Sequence, residues 1–413
     1  MPSFVRPYNV ALLALTSAAT CSPADWPPVA SRVDSAGIEI VTSSDSLWTP
    51  DTRWSRSPEP ILTIGGDLDA PDPYQLVTVS DAMRRSDGSV VVVNSGTREV
   101  RIFSSEGEHL QTLGGPGEGP EEYGYPMGLR PGPGDGFSVR DRFDAVHYDG
   151  AGEFVGRETF DRAEWMEIMR SVGPSEGGVE LPDGRMVAPV YAESFFGSGT
   201  PTPGPAYRPP ITIVRVDRAT RDVDTLASIG GILQQYVDAG QERPTNVVPP
   251  FAPSGRYLVA HDGSMAIYDG AEPEVRQIDD AGAHRIVRWV SEGEPVSAAE
   301  IDAQLDEFRN ASWIQPRIAE MERAWAQMDL PTHKPHVTLA HSALDGSLWV
   351  RTTSSRVDDA RWRVFSSDGR WLGTLELPGG FVPMEIDDDY LLGVHTDVAT
   401  ELQTVVMYSL DKP

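Results

Sequence analysis

Short runs of apolar residues, each opened by a tight-turn dipeptide, recur along most of the chain. The first is Val90-Val91-Val92-Val93 behind Asp87-Gly88, followed by Val100-Arg101-Ile102-Phe103 and the turn Glu106-Gly107. The second is Phe137-Ser138-Val139-Arg140 behind Asp135-Gly136, then Val146-His147-Tyr148. Asp183-Gly184 leads into Met186-Val187, and Ile211-Thr212-Ile213-Val214 follows an interruption. Ser254-Gly255 opens Tyr257-Leu258-Val259 and then Met265-Ala266-Ile267-Tyr268; Asp345-Gly346 opens Leu348-Trp349-Val350 and then Trp362-Arg363-Val364-Phe365. A degenerate sixth copy runs from Asp388-Asp389 through Tyr390-Leu391-Leu392 to Val405-Val406-Met407-Tyr408. Runs of this length bounded by Gly, Asp and Pro read as β-strands, and Asp-Gly supplies the positive φ that a two-residue hairpin needs.

Gly88, Gly136 and Gly184 stand 48 residues apart, so three copies share one register. Each unit has the length of a four-stranded antiparallel sheet, which alone cannot bury both faces. Six such sheets around one axis bury them and leave only short edges. The fold class expected is therefore all-β, a six-bladed β-propeller over residues 30–413, and Gly37-Ile38-Glu39-Ile40-Val41 is the strand expected to complete the last blade. Two stretches break the period. Residues 194–210 are rich in Gly and Pro and read as a surface loop. Residues 297–328 read as a helical hairpin against the propeller: Ser297 and Glu300 form a capping box, with Ile301, Leu305 and Phe308 on one face and Ile318, Met321, Trp325 and Met328 on the next.

The 39 Gly and 35 Pro among 413 residues fit many short strands joined by turns. A formal charge of −28 repels nucleic acid and anionic lipid, so neither is an expected partner. It suits a solvated surface and, where chemistry is sought, a cationic ligand or divalent metal. Cys21 is the single cysteine, which excludes an internal disulfide and Cys-based metal or redox motifs. Arg6 and an apolar run from Val10 to Ala19 precede it, too short to span a bilayer and suited to a secretory signal. Residues 1–20 are read as that signal and 21–29 as a tether, giving an exported monomer in the periplasm or at the outer membrane.

Ala18-Ala19-Thr20-Cys21 resembles the lipobox of bacterial lipoproteins, with Ala18 and Thr20 at positions where that motif carries leucine and a smaller residue. The resemblance implies acylation of Cys21; cleavage after Ala19 and release of a free exported protein is the alternative. Gly114-Gly115-Pro116-Gly117-Glu118-Gly119-Pro120-Glu121-Glu122-Tyr123, together with Leu344-Asp345-Gly346-Ser347-Leu348-Trp349-Val350, is similar to the bacterial 6-bladed beta-propeller family, relatives of the NHL-repeat propellers that are often lipoproteins. That resemblance implies the fold and very little about activity.

The Gly-rich segment lacks a GK[ST] ending and carries three glutamates, so it reads as a turn between blades and not as a phosphate cradle. Equivalent positions in every blade surround the axis, and those five or six residues past the turn glycine hold Asn94, Asp141 with Arg142, Tyr191, His261 with Asp262, and Arg351. Asn94, Asp141, Arg142, Tyr191, His261 and Arg351 are the expected ligand-binding set. In the alternative reading Asn94, Asp141 and His261 hold a divalent metal such as calcium, as channel residues do in lactonase-type six-bladed hydrolases or lyases. No cofactor is expected otherwise. His333 and His336 read as a Pro-flanked surface loop, and HExxH and GxSxG patterns are absent. Phe195, Phe196, Trp313 and Trp325 lie in the insertions and either cement them to the blades or anchor a protein partner. A binding or interaction scaffold without catalysis is the favoured function.

Overall fold

The computed structural model describes residues 29–413 apart from 68, 70, 143, 171, 174, 176, 177, 192–201, 280, 313, 353–359, 398, 399 and 401. The signal segment, Cys21, Phe195, Phe196 and Trp313 lie outside the described residues.

Six four-stranded antiparallel blades follow one another along the chain. Blade one is Val79–Arg84, Val90–Asn94, Glu99–Phe103 and His109–Gly114; blade two is Pro126–Pro131, Phe137–Asp141, Asp144–Tyr148 and Phe154–Glu158. Blade three is Val179–Glu180, Met186–Tyr191, Pro210–Val216 and Val223–Gly230; blade four is Arg256–Val259, Met265–Tyr268, Glu274–Ile278 and His284–Trp289. Blade five is Leu339–Ser342, Leu348–Arg351, Ala360–Phe365 and Trp371–Leu377. Blade six takes Phe381–Ile386, Tyr390–Thr396 and Gln403–Asp411 from the end of the chain and Leu62–Gly65 from near its beginning. The first strands of blades one and two, six and one, and four and five lie against one another, as inner strands around an axis do.

Ring closure differs from the expectation. Ile38–Ser43 does not complete blade six; it pairs in parallel with His284–Trp289 on the outer edge of blade four, and Ala30–Ser35 adds beyond it. Leu62–Gly65 closes the ring instead, with Ile64 opposite Val405. Charge and burial explain the choice. Glu39 forms an ion pair with Arg285 of blade four, whereas Leu62 and Ile64 are buried in a cluster with Val90, Val92, Tyr390 and Val405 between blades six and one.

The turn between the first two strands of three blades has a repeated device. Asp87 Oδ1 accepts from the Ser89 amide at 2.9 Å and the Ser89 hydroxyl at 2.6 Å, and Asp345 does the same with Ser347. Asp262 and Ser264 repeat it, so the fourth turn is Asp262-Gly263 and not Ser254-Gly255. At the first of these turns Gly88 has φ +85°, a left-handed conformation that a side chain would strain.

Apolar clusters fill the joints between blades. Val91 and Val93 meet Phe137 and Val139 between blades one and two; Val187 and Ile213 meet Met265 and Ile267 between three and four. Comparable clusters join four to five and five to six. The joint between blades two and three is different: a helix, Arg162–Met169, capped by the Asp161 carboxylate, places Trp165, Ile168 and Met169 against Met186, Ala188 and Val214 of blade three. The sequence reading has no helix there. The two helices of the second insertion are present at Ala298–Asn310 and Ile318–Trp325, with the Ser297/Glu300 capping box formed. Their apolar faces meet Val237, Ala239 and Val247, so they pack on a small β-hairpin, Gln235–Val237 with Thr245–Val247.

Truncating Ile64 to Ala removes a fully buried side chain from the closing strand. It is expected to lower unfolding free energy by about 2–4 kcal/mol, whereas Val33→Ala on the exposed edge strand changes it by less than about 0.5 kcal/mol. Chemical denaturation of both variants measures the difference; equal effects would mean that Leu62–Gly65 does not hold the ring.

Candidate functional site

Strand Phe137–Asp141 alternates strictly. Phe137, Val139 and Asp141 are buried on the side of blade one, and Ser138 and Arg140 are half-buried on the opposite side. In blade one the equivalent strand, Val90–Asn94, is buried at every position. Because the faces of an inner strand are normally both covered by neighbouring blades, a polar second face marks a joint that does not close.

A cavity of about 450 Å³ occupies that joint. Blade two contributes Ser138, Arg140 and Ala145, and the first strands of blades two and three contribute Arg130 and Glu180. Asp81 of blade one and Tyr257 of blade four reach it from the axis, while Met127, Phe160, Met186 and Leu258 supply apolar wall. The two buried-side arginines cross the joint. Arg130 donates from Nε to the Glu180 carbonyl at 3.1 Å, and Arg140 donates from Nη1 to the Gly178 carbonyl at 2.9 Å. Burial lowers the pKa of both guanidinium groups, against the pull of Asp81, yet arginine stays protonated under ordinary conditions. Burial, and then the neighbouring Glu158, hold the Glu180 carboxyl above the usual carboxylate range, with Arg218 and Arg130 pulling it back.

Beside the cavity a charged group spans the axis. His261, from the turn between the first two strands of blade four, places Nδ1 at 2.5 Å from Glu385 Oε2 of blade six and Nε2 at 3.1 Å from Asp81 Oδ1 of blade one. Asp81 Oδ2 also accepts from the Leu129 amide of blade two at 2.7 Å, and Glu385 accepts from the Tyr390 hydroxyl at 2.6 Å and the Arg84 amide at 2.9 Å. Burial alone pulls the His261 pKa down; the Asp81 charge and the bonds to Asp81 and Glu385 outweigh it and push it up to about 10. Burial acts to raise the Asp81 pKa, and the same histidine overcomes that and lowers it. Two carboxylate acceptors fix an imidazolium that donates from both nitrogens.

The six residues singled out from the sequence take separate places. Asn94 ends the second strand of blade one, fully buried, accepting from the Val77 amide and donating to the Gln75 carbonyl. Asp141 ends the second strand of blade two, where it accepts from the Gly124 and Tyr125 amides and pairs with Arg157 at 2.5 Å. Arg142 follows it at φ +58° and lines the cavity. Tyr191 and Arg351 end the second strands of blades three and five, and Arg351 donates to the Thr338 hydroxyl. His261 stands before its turn glycine on the first-strand side, a register different from the other five that follows from the fourth turn being Asp262-Gly263. Asn94, Asp141 and His261 are not gathered: each has its own partners, and their oxygen and nitrogen atoms are already engaged, so these three do not fit a shared metal. Among the described residues no three His, Cys, Asp or Glu side chains are arranged around a metal position. The Gly-rich segment links blades one and two, its Tyr123 amide donating to the Gly115 carbonyl and its buried ring bonding Tyr148. His333 and His336 lie between the helices and blade five, where His333 bridges to Pro295.

Arg130, Arg140 and Asp81 were absent from the sequence-derived set. The signal that locates them is the Ser138/Arg140 alternation in a second strand, where the second strands of blades one, three and four are mostly apolar on both faces.

No protein-family model matches the chain, and no curated protein matches it in sequence. Solved structures similar to it include a putative exported protein from Bacteroides fragilis, 11% identical with TM-score 0.44 over 91% of this chain and 99% of that one. A member of the DUF4221 family from Bacteroides vulgatus is 10% identical with TM-score 0.47, covering 88% and 99%. Virginiamycin B lyase from Staphylococcus aureus is 9% identical with TM-score 0.37, covering 87% and 99%. Similarity of this degree assigns neither an activity nor a ligand to this chain.

The raised His261 pKa has a definite pH signature. A group bound more tightly to its proton when folded gives its full stabilisation below its ordinary pKa of 6.5 and loses it as pH climbs toward about 10. Wild-type unfolding free energy is expected to fall across that interval, and His261→Gln to be less stable at pH 6 and flatter above it. Identical slopes in wild type and variant would show that His261 is not charged in the fold.

Proposed function

We propose that this propeller is an exported binding protein that holds a small molecule in the cavity between blades two and three without carrying out chemistry on it. The observation that carries the reading is that cavity itself: about 450 Å³ at a joint that, among the described residues, lacks a direct blade-to-blade apolar seam, with apolar wall and convergent charged groups. That volume and mixed lining are what small-molecule sites have. Arg142 keeps its place in the set expected to bind ligand, joined now by Arg130, Arg140, Ser138 and Tyr257. Catalysis finds little support here. Asp81, the carboxylate at the axis end, is bound by His261 and an amide, and its lowered pKa makes it a weak proton acceptor.

Export rests on the Val10–Ala19 apolar run, and attachment by lipid at Cys21 is the form we favour. Mass spectrometry of the mature protein is expected to show an acylated Cys21 as first residue, and Cys21→Ser to release the protein from the membrane fraction. An unmodified Thr20 start would replace the anchor with a free exported form.

Ala145 projects at the cavity from the third strand of blade two, and Ala145→Phe fills the space. In a thermal-shift comparison against neutral, cationic and anionic compounds of metabolite size, at least one is expected to raise the wild-type melting temperature by several degrees and to have no effect on the variant. Binding at 100 times Kd stabilises by about 2.7 kcal/mol, well above detection. A panel that never distinguishes the two proteins removes the cavity from the functional reading.

A further inference from the structure

We infer that the occupant of this cavity is a small organic anion, its carboxylate, sulfate or phosphate group held by Arg130, Arg140 and Arg142 and its body by the apolar wall. The inference rests on the binding role given to the cavity above and adds the ligand's chemical class.

Ion pairing around the cavity is lopsided. Its carboxylates already have cations: Asp81 has His261 at 3.1 Å, Asp144 has Arg157 at 3.0 Å, and Glu158 has Arg218 at 2.9 Å. Glu180 is the exception, and burial and Glu158 work against its charge. The arginines are treated oppositely. Among the described residues, Arg130 and Arg140 bond only to the carbonyls of Leu129, Glu180 and Gly178, and neither they nor Arg142 makes an ion pair within 4 Å of a carboxylate. Two half-buried guanidinium groups, with the exposed Arg142 at the rim, therefore face one partly suppressed carboxylate, inside a chain whose formal charge is −28.

Holding charge this way is costly unless something offsets it. Bringing Arg130 and Arg140 together in a half-buried wall costs desolvation and mutual repulsion, and the Arg140 charge lowers the pKa of Arg130. Isolated bonds to neutral carbonyls offset only part of that. The carbonyls do fix the two side chains: Gly178 and Glu180 sit on one short stretch of blade three, so Arg130 and Arg140 are anchored side by side with further N–H donors left over. A planar fork with free donors matches a carboxylate or phosphate edge, which an ammonium would not. Met127, Phe160 and Met186 give the other wall no use for a bare inorganic ion, and the volume exceeds what one requires.

Calorimetric titration at constant ionic strength with benzoate, phenyl phosphate, inorganic phosphate and the uncharged isostere benzamide separates the possibilities. Benzoate or phenyl phosphate is expected to bind wild type at least tenfold more tightly than benzamide, with inorganic phosphate weaker than phenyl phosphate. Arg140→Gln and Arg142→Gln each weaken anion binding at least tenfold, Arg140→Lys restores part of it, and Ala145→Phe abolishes it. Melting curves of every variant check folding, and Arg309→Gln on the distant helix serves as a folded control that binds as wild type does. Equal binding of benzoate and benzamide, both blocked by Ala145→Phe, overturns the anionic class and leaves the cavity reading intact. Anion binding untouched by Ala145→Phe, or no binding by any probe at 10 times the protein's working concentration range up to ~10 mM, overturns both.

Discussion

Apart from the joint between blades two and three, the blades of this ring present apolar faces that the neighbouring blade must cover. That single requirement sets the fold, because a lone four-stranded sheet leaves one face wet and a closed ring leaves none. The valines of Val90–Asn94 show it most plainly: alternate residues enter the clusters shared with blade six on one side and blade two on the other. Closure is the same requirement at the ends of the chain. Leu62 and Ile64 cover the last open edge, so the ring is locked by a strand some 340 residues away in sequence from its partner Val405.

The joint between blades two and three relaxes the rule. A helix with Trp165, Ile168 and Met169 packs on the second and third strands of blade three, and Ser138, Arg140 and Arg130 line the cavity beside it. Hydrogen bonds to the backbone carbonyls of Gly178 and Glu180 replace the apolar seam there. They keep the two blades in register while leaving space between them, which a packed seam could not do. At the axis, meanwhile, Asp81, His261 and Glu385 tie blades one, four and six by charge. Removing one partner of such a buried group leaves the others uncompensated, so the three stand or fall together.

The sheet repeat was legible because it rests on local chemistry. Asp-Gly turns and β-branched runs fix hairpins without help from distant residues, and Ser297 with Glu300 fixes a helix start in the same way. What depended on long-range pairing was not legible. Ile38–Val41 and Leu62–Ile64 are both short apolar strands, and only the Glu39–Arg285 ion pair and the buried gap between blades six and one decide which goes where. The position of the cavity was hidden for a related reason. Counting residues past a turn glycine selects the far end of each second strand, where Asn94 and Asp141 secure loops through backbone amides. The fourth turn lies at Gly263 and not Gly255, so His261 entered the set at a position the others do not share. Arg140 marks the cavity in the sequence, as a charge on a second strand whose opposite face is apolar.

A basic cavity inside an acidic protein also sorts its visitors by size. Charges on the exterior repel anything negative, but salt screens that repulsion beyond about 8 Å at physiological ionic strength. A long polyanion keeps many of its charges against the acidic surface at once, and the repulsion accumulates along its length. A small anion meets only the local field near the opening, and once inside lies within bonding distance of Arg130, Arg140 and Arg142 where screening is weak. The −28 exterior and the guanidinium-lined interior are therefore not in conflict. The first works against long polyanions, and the second suits a single anionic group on a compact molecule.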